Sequence, residues 1–412
     1  MEKITLKNEF LRFIIEFCEY LLIILLIIDC NTVYRHILGK PIVPQIWNII
    51  ILLTNIIILM KHKKQDIKNQ NKILLILLYN CLVMALIIIR QSDIILYTRL
   101  FLIFYPLAII MCIQDINNNN KFNMIFKLEN IILILAMSSL LFWLLGSLFN
   151  ILKPNINVPV TWNNGDFYNG YFGICFKYIH QYELLPFFNV KIMRNIGIFT
   201  ESPMYNIILI IGLFTELFLK EKCCIIKLSV ISITILTTFG TIGIMLMLIG
   251  HSIKFIVNKK GKNIKIIFIA MFILIVLIGL LFINKKINAS GSFSTHLDDY
   301  MAGIKAWKTS PIIGTGFNNY DIIHQFMNPA RGNNLGTSNS LTDILAQGGI
   351  MMLVIYIAPF IILFKQSKME INIFLWSLAP LFLFIMTIYH FTYLLFFILA
   401  FCLAVGWSLL ES

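Results

Sequence analysis

Apolar stretches of about twenty residues follow one another along most of this chain, and two long polar segments interrupt them. A helix of about twenty apolar residues is long enough to cross the ~30 Å hydrocarbon layer of a bilayer. The polar segments, residues 151–203 and 284–346, are too long for turns and too polar to lie in lipid. The pattern therefore predicts an all-α polytopic integral membrane protein whose chemistry is located in these two segments.

The composition excludes an ordinary soluble domain. Hydrophobic residues make up 59% of the 412 residues and charged residues only 13%, whereas a soluble domain has roughly 25% charged residues. Much of the net charge of +13 comes from lysines clustered in short loops, as is typical of the cytoplasmic loops of membrane proteins. We therefore interpret the charge as a topology signal and expect no nucleic-acid partner.

We expect about twelve membrane spans in one domain, residues 1–412, with both termini inside. The apolar stretches cover residues 13–30, 42–60, 73–89, 94–113, 130–150, 204–219, 228–257, 264–283, 347–364, 371–388 and 391–410. The stretch 228–257 is long for one crossing and has lysine-rich flanks, so it predicts two short helices that meet at Phe239-Gly240-Thr241. This count puts the basic short loops inside and both polar segments outside.

Arginines near the predicted outer surface are candidate ligands for a lipid phosphate. Arg99 lies about a third of the way into its span, and ionisable residues at membrane depth are costly and often functional. Arg90 and Asp93 flank the turn before this span. Two interpretations stay open: Arg99 reaches outward to water while Arg90 pairs with Asp93, or the arginines form a basic pocket that binds substrate.

The first polar segment ends in charged residues directly before a predicted span. Arg194 presents a planar fork of N–H donors that suits phosphate oxygens, and Glu201 is the nearest carboxylate along the chain. Pro203 is typical of the first turn of a helix. Arg194 and Glu201 are therefore candidate catalytic residues, and the alternative is a structural ion pair between them.

The second polar segment begins with a predicted amphipathic helix of about a dozen residues, which is expected to lie on the membrane or on other helices and to stop at Ser310-Pro311. The helix is indicated by apolar residues at spacings of three and four: Leu297, Met301, Ile304 and Trp307.

A glycine-bent turn and a single arginine follow this helix. Gly314 and Gly316 form a Gly-x-Gly pair, which on its own is a weak phosphate-loop signal. Arg331 is the one guanidinium between residues 284 and 346, and Asn339 precedes the next span.

Metal and cofactor motifs are not evident in the sequence. The eight cysteines form no Cys-x-x-Cys pair, and Asp298-Asp299 is adjacent rather than spaced as Asp-x-Asp. Zinc and iron–sulfur sites need ligand spacings that are absent here. We expect no metal and no cofactor.

Three motifs together resemble the superfamily of O-antigen and capsule polymerases (Wzy) and O-antigen ligases. The first is Arg194-x-x-Gly197-x-Phe199-x-Glu201-x-Pro203 before a span. The second is residues 307–317, W-K-T-S-P-I-I-G-T-G-F, and the third is Ser338-Asn339-x-Leu341 followed by Gly348-Gly349-Ile350. The two large outer segments and the span count also match this family's layout.

The resemblance implies a bacterial cytoplasmic (inner) membrane enzyme with its active face outside the cytoplasm. Such a polymerase transfers a growing polysaccharide from undecaprenyl pyrophosphate to the next lipid-linked repeat unit, and membrane lipid, a flippase and a chain-length regulator are its implied partners. Cations aimed at the leaving pyrophosphate would be the main catalytic device, with Arg194 first, then Arg331, and with Arg99 or Arg90 behind them. A base for the attacking hydroxyl would be Glu201, then His296 or Asp298.

Two departures from the family pattern bear on the activity. Ligases of the superfamily carry a histidine at the position of Ser338, so the serine favours a polymerase over a ligase. Family members often place an arginine at the start of the amphipathic helix, where His296 is the nearest match here. O-antigen ligase and lipid-linked oligosaccharide flippase stay as alternatives, although a flippase would be expected to show two related halves.

Overall fold

A computed structural model describes residues 2–37, 42–59, 70–90, 92–118, 120–160, 165–185, 190–258, 291–332, 335–366 and 370–411. The protein is mostly helical and carries several apolar helices, which confirms the prediction of a helical membrane protein. In chain order the described helices are α1 (Glu2–Ile28), α2 (Val33–Ile37), α3 (Ile42–Leu59), α4 (Gln70–Ile87), α5 (Ile94–Asn117), α6 (Asn123–Leu148), α7 (Ser202–Leu219), α8 (Ile225–Thr238), α9 (Thr241–Asn258), α10 (Gly291–Thr309), α11 (Asp321–Gln325), α12 (Ser340–Gln366), α13 (Ile371–Met386) and α14 (Tyr393–Glu411).

Six of the described helices are long and apolar enough to cross a membrane: α4, α5, α6, α7, α12 and α14. Helices α8, α9 and α13 are apolar but shorter. The predicted span at 264–283 lies outside the described residues. The total of about twelve spans therefore stays a prediction.

Helices α7 and α14 form the centre of the bundle. Within their apolar windows, 94% of α7 and 83% of α14 is buried inside the protein, against 22% of α4. Helix α14 packs on α5 through aromatic rings, for example Phe101 and Phe396 with centroids 4.6 Å apart. The residues at the N-terminus of α7 are therefore attached to the most enclosed described helix of the bundle.

Helices α8 and α9 confirm the predicted pair of short helices. Between them Phe239 adopts a left-handed conformation, with a φ of 52°. Two asparagines hold this tip: the Asn195 backbone N–H donates to the Thr237 carbonyl at 2.9 Å, and the Asn206 side chain accepts from the Thr238 hydroxyl at 3.1 Å. Polar groups at the break are thus bonded within the protein, as a hydrocarbon surrounding requires.

We call the polar segments 151–203 and 284–346 the first and second outer segments, after their predicted side. The all-α prediction is wrong for the first outer segment, which contains five described strands: β1 (Ile156–Pro159), β2 (Phe167–Tyr171), β3 (Cys175–Tyr178), β4 (Tyr182–Leu185) and β5 (Val190–Met193). Strands β1, β2 and β3 form an antiparallel sheet, and β4 and β5 form a separate hairpin. The strands are only four or five residues long. Strands this short carry too few residues for an alternating apolar pattern to stand out.

Helix α10 ends where predicted, but the predicted apolar face is not its packed face. Leu297 is 55% exposed and Met301 is 47% exposed, whereas Ala302 and Ala306 are fully buried. The packed face contacts α12 closely, because a Cβ on Gly303 would lie 2.6 Å from the Thr342 hydroxyl oxygen. Small residues allow this approach, and the larger apolar side chains are left on the outer surface.

Helix α12 is broken at Gly349, whose φ of 62° and ψ of −161° are not helical. The loop that begins at Pro311 inserts at this break. The Thr315 N–H donates to the Ala346 carbonyl at 2.9 Å, and the Ile350 N–H donates to the Pro311 carbonyl at 3.0 Å. The loop therefore satisfies backbone groups that the broken helix cannot pair internally.

Contacts between turns place both outer segments at one end of the bundle, which we call the loop end. Thr32, just after α1, bridges to Phe199 in the first segment. The Phe317 N–H of the second segment donates to the Ser92 hydroxyl, between α4 and α5, at 2.9 Å. The Ser340 N–H donates to the Thr387 carbonyl, after α13, at 2.9 Å.

Turns predicted to lie inside meet at the opposite end, which we call the basic end. Lys121 pairs with Glu370 at 2.9 Å across two of these turns. Lys220 pairs with the fully buried Glu129 at 2.5 Å and Glu216 at 3.1 Å. The described turns thus lie alternately at the two ends of the bundle, as helices that cross a membrane in succession require. The side of the membrane that each end faces stays a prediction.

Candidate functional site

Arg194 directly follows strand β5 of the β4–β5 hairpin, at the loop end. Its backbone N–H donates to the Gln181 carbonyl at 2.9 Å, and its Nη2 donates to Glu183 Oε2 at 2.7 Å. The Arg194 side chain is 24% exposed and that of Glu183 is 31% exposed. The Nε atom of Arg194 is buried and has no hydrogen-bond partner in the described part of the chain. One nitrogen of the guanidinium is therefore fixed by Glu183 while the buried Nε retains an unused donor.

Glu201 lies at the N-terminus of the central helix α7, directly before Ser202. Burial raises the pKa of its carboxyl group, and the nearby positive charge of Arg194 partly lowers it again. The Ser202 N–H donates to Gln181 Oε1 at 3.0 Å, which ties this helix end to the residue that also holds the Arg194 backbone. A carboxyl group with a raised pKa can accept a proton readily once ionised. Its ionised form is lost as the pH falls through the raised pKa.

The expected ion pair between Arg194 and Glu201 is not a direct contact. Arg194 bonds to Glu183, a residue 11 positions earlier, and acts on Glu201 through its electrostatic field. The structure thus brings the two predicted catalytic residues together. Glu183, which sequence reasoning missed, is the carboxylate that fixes the arginine.

The other residues of the first motif shape the turn between Arg194 and α7. Gly197 has a φ of 56°, and a Cβ there would lie 2.9 Å from the ring of Tyr205. Phe199 is fully buried and stacks on Tyr205 with centroids 5.1 Å apart. The Tyr205 hydroxyl in turn lies 2.7 Å from the Ser139 hydroxyl on α6. This packing fixes the chain path that delivers Arg194 and Glu201 to the same place.

Arg331 is held inside the second outer segment by residues of its own segment. Its Nη1 lies 3.2 Å from Asp298 Oδ2 and 2.5 Å from Asp299 Oδ1, and its Nη2 donates to the Gly336 carbonyl at 2.8 Å. The side chain is only 7% exposed. Two carboxylates therefore offset its charge, and the observed contacts give Arg331 a structural role in joining α10 to the loop after α11.

His296 is exposed on α10, the helix that also carries Asp298. Asp298 Oδ2 accepts from Arg331 and from the Asn328 N–H at 3.0 Å. Asp298 is therefore engaged within its own segment, whereas His296 faces the surface.

The Gly-x-Gly turn is occupied by backbone bonds. The Gly314 N–H donates to the Ser310 carbonyl and the Gly316 N–H donates to the Gln347 carbonyl, both at 2.9 Å. A Cβ on Gly314 would lie 2.3 Å from the Gln347 carbonyl. Neither N–H points to a free cradle, so the geometry gives these glycines a packing role against the break in α12 rather than contact with a phosphate.

Asn339 caps helix α12. Its Oδ1 accepts from the Thr342 N–H at 2.9 Å and from the Thr342 hydroxyl at 2.8 Å. Its Nδ2 is fully buried, and no described residue accepts a hydrogen bond from it. The amide oxygen is therefore bonded within the fold, while the amide nitrogen retains an unused donor.

Arg90 is exposed in the turn after α4. The nearby Asp93 carboxylate caps α5 by accepting from the Leu96 N–H at 2.9 Å, and it also lies 3.4 Å from the Asn318 amide nitrogen. The Asp93 carboxylate is thus engaged by groups other than the predicted partner Arg90. The turn is instead docked on the second outer segment.

Arg99 lies in the π-helical part of α5, Thr98–Phe104. It is half-buried, and its Nε has no hydrogen-bond partner in the described part of the chain. Arg99 and Arg35 both act electrostatically on the Tyr393 hydroxyl. Arg35, on α2, is a loop-end arginine that sequence reasoning did not single out.

The predicted site residues thus fall into three groups at the loop end. Arg194 and Glu201 form the first. Arg331, His296 and Asn339 belong to the second outer segment. Arg90 and Arg99 lie on either side of the turn to which the second segment is docked.

A buried histidine that contacts the second outer segment was also missed. His390, between α13 and α14, has a pKa that burial lowers to about 3. Its Nε2 lies 3.4 Å from the Tyr320 hydroxyl. His390 is therefore neutral at ordinary pH, and it lies in an apolar stretch where no local charge pattern marks it out. Across the described ranges, no cluster of three or more His, Cys, Asp or Glu residues is arranged to hold a metal ion.

Comparison with known families finds a match in the middle and later part of the chain. Residues 226–357, about a third of the chain, match the Wzy_C family model, described as O-antigen ligase. This match supports membership of the O-antigen polymerase/ligase superfamily. The matched region includes the α8–α9 pair, the second outer segment and the break in α12, so it contains the second and third motifs on which the resemblance was drawn, while the first motif lies before it. Comparison with curated proteins and with solved structures found no match.

The match suggests a membrane enzyme that acts on lipid-linked sugars. The match does not distinguish a polymerase from a ligase.

Proposed function

We propose that this protein is an oligosaccharide repeat-unit polymerase, making O-antigen or capsule at the outer face of a bacterial cytoplasmic membrane. The observation that carries the proposal is the arrangement of Arg194 and Glu201 at the loop end. A partly buried guanidinium with an unused donor acts electrostatically on a carboxyl group whose pKa is raised by burial. Gln181 links the two, because it bonds to the Arg194 backbone and to the start of the enclosed helix α7.

The reaction is a glycosyl transfer between two lipid-linked saccharides. The bond from the anomeric carbon of the growing chain to undecaprenyl pyrophosphate breaks, and the pyrophosphate leaves with the electron pair. A hydroxyl of the incoming repeat unit forms the new bond to that carbon and gives up its proton. In the proposal Glu201 accepts the proton and Arg194 stabilises the charge that develops on the leaving pyrophosphate.

Other predicted residues take supporting roles in the proposal. Arg90 and Arg99 bind substrate phosphate near the membrane surface, and the free Nδ2 of Asn339 contacts saccharide. Arg331 positions the second segment over the site through Asp298 and Asp299. His296 and Asp298 are the second candidates for the base, after Glu201. A flippase would deliver the lipid-linked units, and a chain-length regulator would set when transfer stops.

The second candidate function is O-antigen ligase, which the family model's own description favours. A ligase uses the same donor but transfers the polysaccharide to lipid A core. Ser338 favours the polymerase, because it stands where ligases of the superfamily carry a histidine. Both activities need the same leaving pyrophosphate, so the Arg194 and Glu201 geometry serves either.

The choice of acceptor separates the two enzymes. Purified full-length protein in proteoliposomes should convert undecaprenyl-pyrophosphate-linked repeat units into a ladder of longer lipid-linked chains. Lipid A core added as an acceptor should remain unglycosylated. Transfer to lipid A core without a ladder would identify a ligase, and movement of the lipid-linked units across the bilayer without any transfer would identify a flippase.

A further inference from the structure

The C-terminal turn of α1 brings together charged groups that are not part of the site formed by Arg194 and Glu201, which we call the first site. Asp29 is 7% exposed, and its Oδ2 accepts from the Tyr393 N–H, at the start of α14, at 3.2 Å. Arg35 Nη1 donates to the Asp29 carbonyl at 2.8 Å and lies 3.7 Å from Asp29 Oδ1. Asp29, Arg35 and Arg99 all act electrostatically on the Tyr393 hydroxyl.

Two buried donors in this cluster are unused. The Arg99 Nε and the Tyr393 hydroxyl are buried and have no hydrogen-bond partner in the described part of the chain. Tyr393 is 2% exposed. A buried donor without a partner is destabilising by roughly 1–3 kcal/mol, so two of them beside each other indicate a group that both would bind.

The charge of the cluster indicates that this group is an anion. Two guanidinium groups, Arg35 and Arg99, and one carboxylate, Asp29, act on the Tyr393 hydroxyl, so one positive charge is left over. An uncompensated cation near membrane depth is costly. A ligand with negatively charged oxygens would offset this charge and accept from both free donors.

The backbone of α5 is also unusual at this point. Residues Thr98–Phe104 form a π-helix, which is rare and is frequent at functional sites. The Asn80 side chain donates to the Phe101 carbonyl at 3.0 Å, which secures this irregular turn from α4. The wider turn carries Arg99 and is therefore a built feature rather than a frayed helix end.

This cluster adjoins the first site but is separate from it. The Thr200 N–H, next to Glu201, donates to the Asn31 carbonyl at 3.1 Å, and Asn31 lies two residues beyond Asp29. The two guanidinium groups of the cluster do not share the carboxylate of Arg194, which is Glu183. The α1 turn thus separates two arginine-containing sites at the loop end.

We infer that Arg99, Arg35 and Tyr393 form a second diphosphate-binding subsite, which holds one of the two lipid-linked substrates while the Arg194 site holds the other. The inference rests on the proposed function, because joining two units that both carry a polyprenyl diphosphate requires both head groups to be bound at once. Asp29 orients Arg35 and limits the positive charge of the subsite.

The test is direct binding of farnesyl diphosphate to the purified full-length protein in nanodiscs of zwitterionic lipid. Two molecules should bind per chain. Arg99→Gln should weaken one of them by roughly 10- to 100-fold, the loss expected for a charge-assisted hydrogen bond, and leave the other unchanged. Tyr393→Phe should weaken the same site by roughly 2- to 10-fold.

Variants of opposite sign separate binding from a structural role. Asp29→Asn removes the opposing negative charge and should tighten the same site, whereas a merely structural cluster would be loosened by every substitution. Arg12→Gln removes an exposed guanidinium near the other end of α1 and should change neither site. Inorganic pyrophosphate should compete with farnesyl diphosphate, and phosphatidylglycerol should not.

The outcomes for the subsite and for the enzyme are distinguishable, because the binding measurement requires no turnover. If the protein binds two molecules but makes no polymer, the subsite is supported and only the proposed function is contradicted. A single site that Arg99→Gln leaves unchanged would overturn the inference, even if polymer is made. Displacement by phosphatidylglycerol would also overturn it, because the cluster would then be a general anionic-lipid contact.

Discussion

Replacing Arg194 with alanine should lower polymer formation by about 100- to 1,000-fold, the usual loss when a preorganised donor to a developing negative charge is removed. The guanidinium is partly buried beside Glu201 and has a free Nε, so water cannot replace it well. Arg194→Lys should restore little, because an ammonium group cannot reproduce the planar fork. The measurement is the rate of polymer formation from lipid-linked repeat units, at matched levels of folded protein.

Glu183→Gln is the matched control for Arg194→Ala. Both substitutions remove the ion pair between the two side chains, but only Arg194→Ala removes the guanidinium. If Arg194 acts on substrate, Glu183→Gln should keep activity within about tenfold of wild type, since a neutral amide still accepts a hydrogen bond. Equal losses in both variants would mean that the pair matters only for the fold of the hairpin, and Arg194 would lose its catalytic assignment.

Replacing Gly349 with alanine should destabilise the fold by roughly 2–5 kcal/mol, from left-handed backbone strain and overpacking together. Gly349 has a φ of 62° and a ψ of −161°, a combination that is essentially restricted to glycine. Its Cβ would lie 2.3 Å from the Ile312 carbonyl oxygen, which is backbone and cannot rotate away. The Pro311 loop would then separate from the break in α12.

Thermal unfolding of the detergent-purified protein tests this prediction. Gly336→Ala is the control, because it lies in the same segment and a Cβ there meets nothing within 4 Å. A lowered midpoint for Gly349→Ala alone is expected. If the two variants unfold at the same temperature, the break in α12 is not what holds the second outer segment in place.

Hydropathy and local turn residues were enough to predict the membrane class and the main break. The apolar runs are long, and Gly240 follows a left-handed Phe239 where the two short helices meet. The strands of the first outer segment were missed because none is longer than five residues. The face of α10 that packs on α12 was not predicted either, since this packing uses the small residues Ala302 and Ala306 rather than the larger apolar ones.

The candidate site was predictable as a set of arginines but not as a set of contacts. The sequence identified Arg194 and Arg331, yet the carboxylates that hold them lie 11 residues away in Glu183 and 32 residues away in Asp299. The Asp29 carboxylate and the Tyr393 N–H are 364 residues apart in the chain. Contacts at such separations depend on how helices and hairpins pack, which a single sequence does not reveal.

The central claim is that the loop end, with its arginines, faces away from the cytoplasm. Cysteine labelling of intact cells with a membrane-impermeant maleimide tests it directly, in a background in which all eight native cysteines are replaced. Single cysteines at the exposed positions Lys191 and Ala330, beside Arg194 and Arg331, should be labelled without permeabilisation, and one at the exposed Glu221 should be labelled only after it. Labelling in the reverse pattern would contradict the claim, because the site would then face the cytosol.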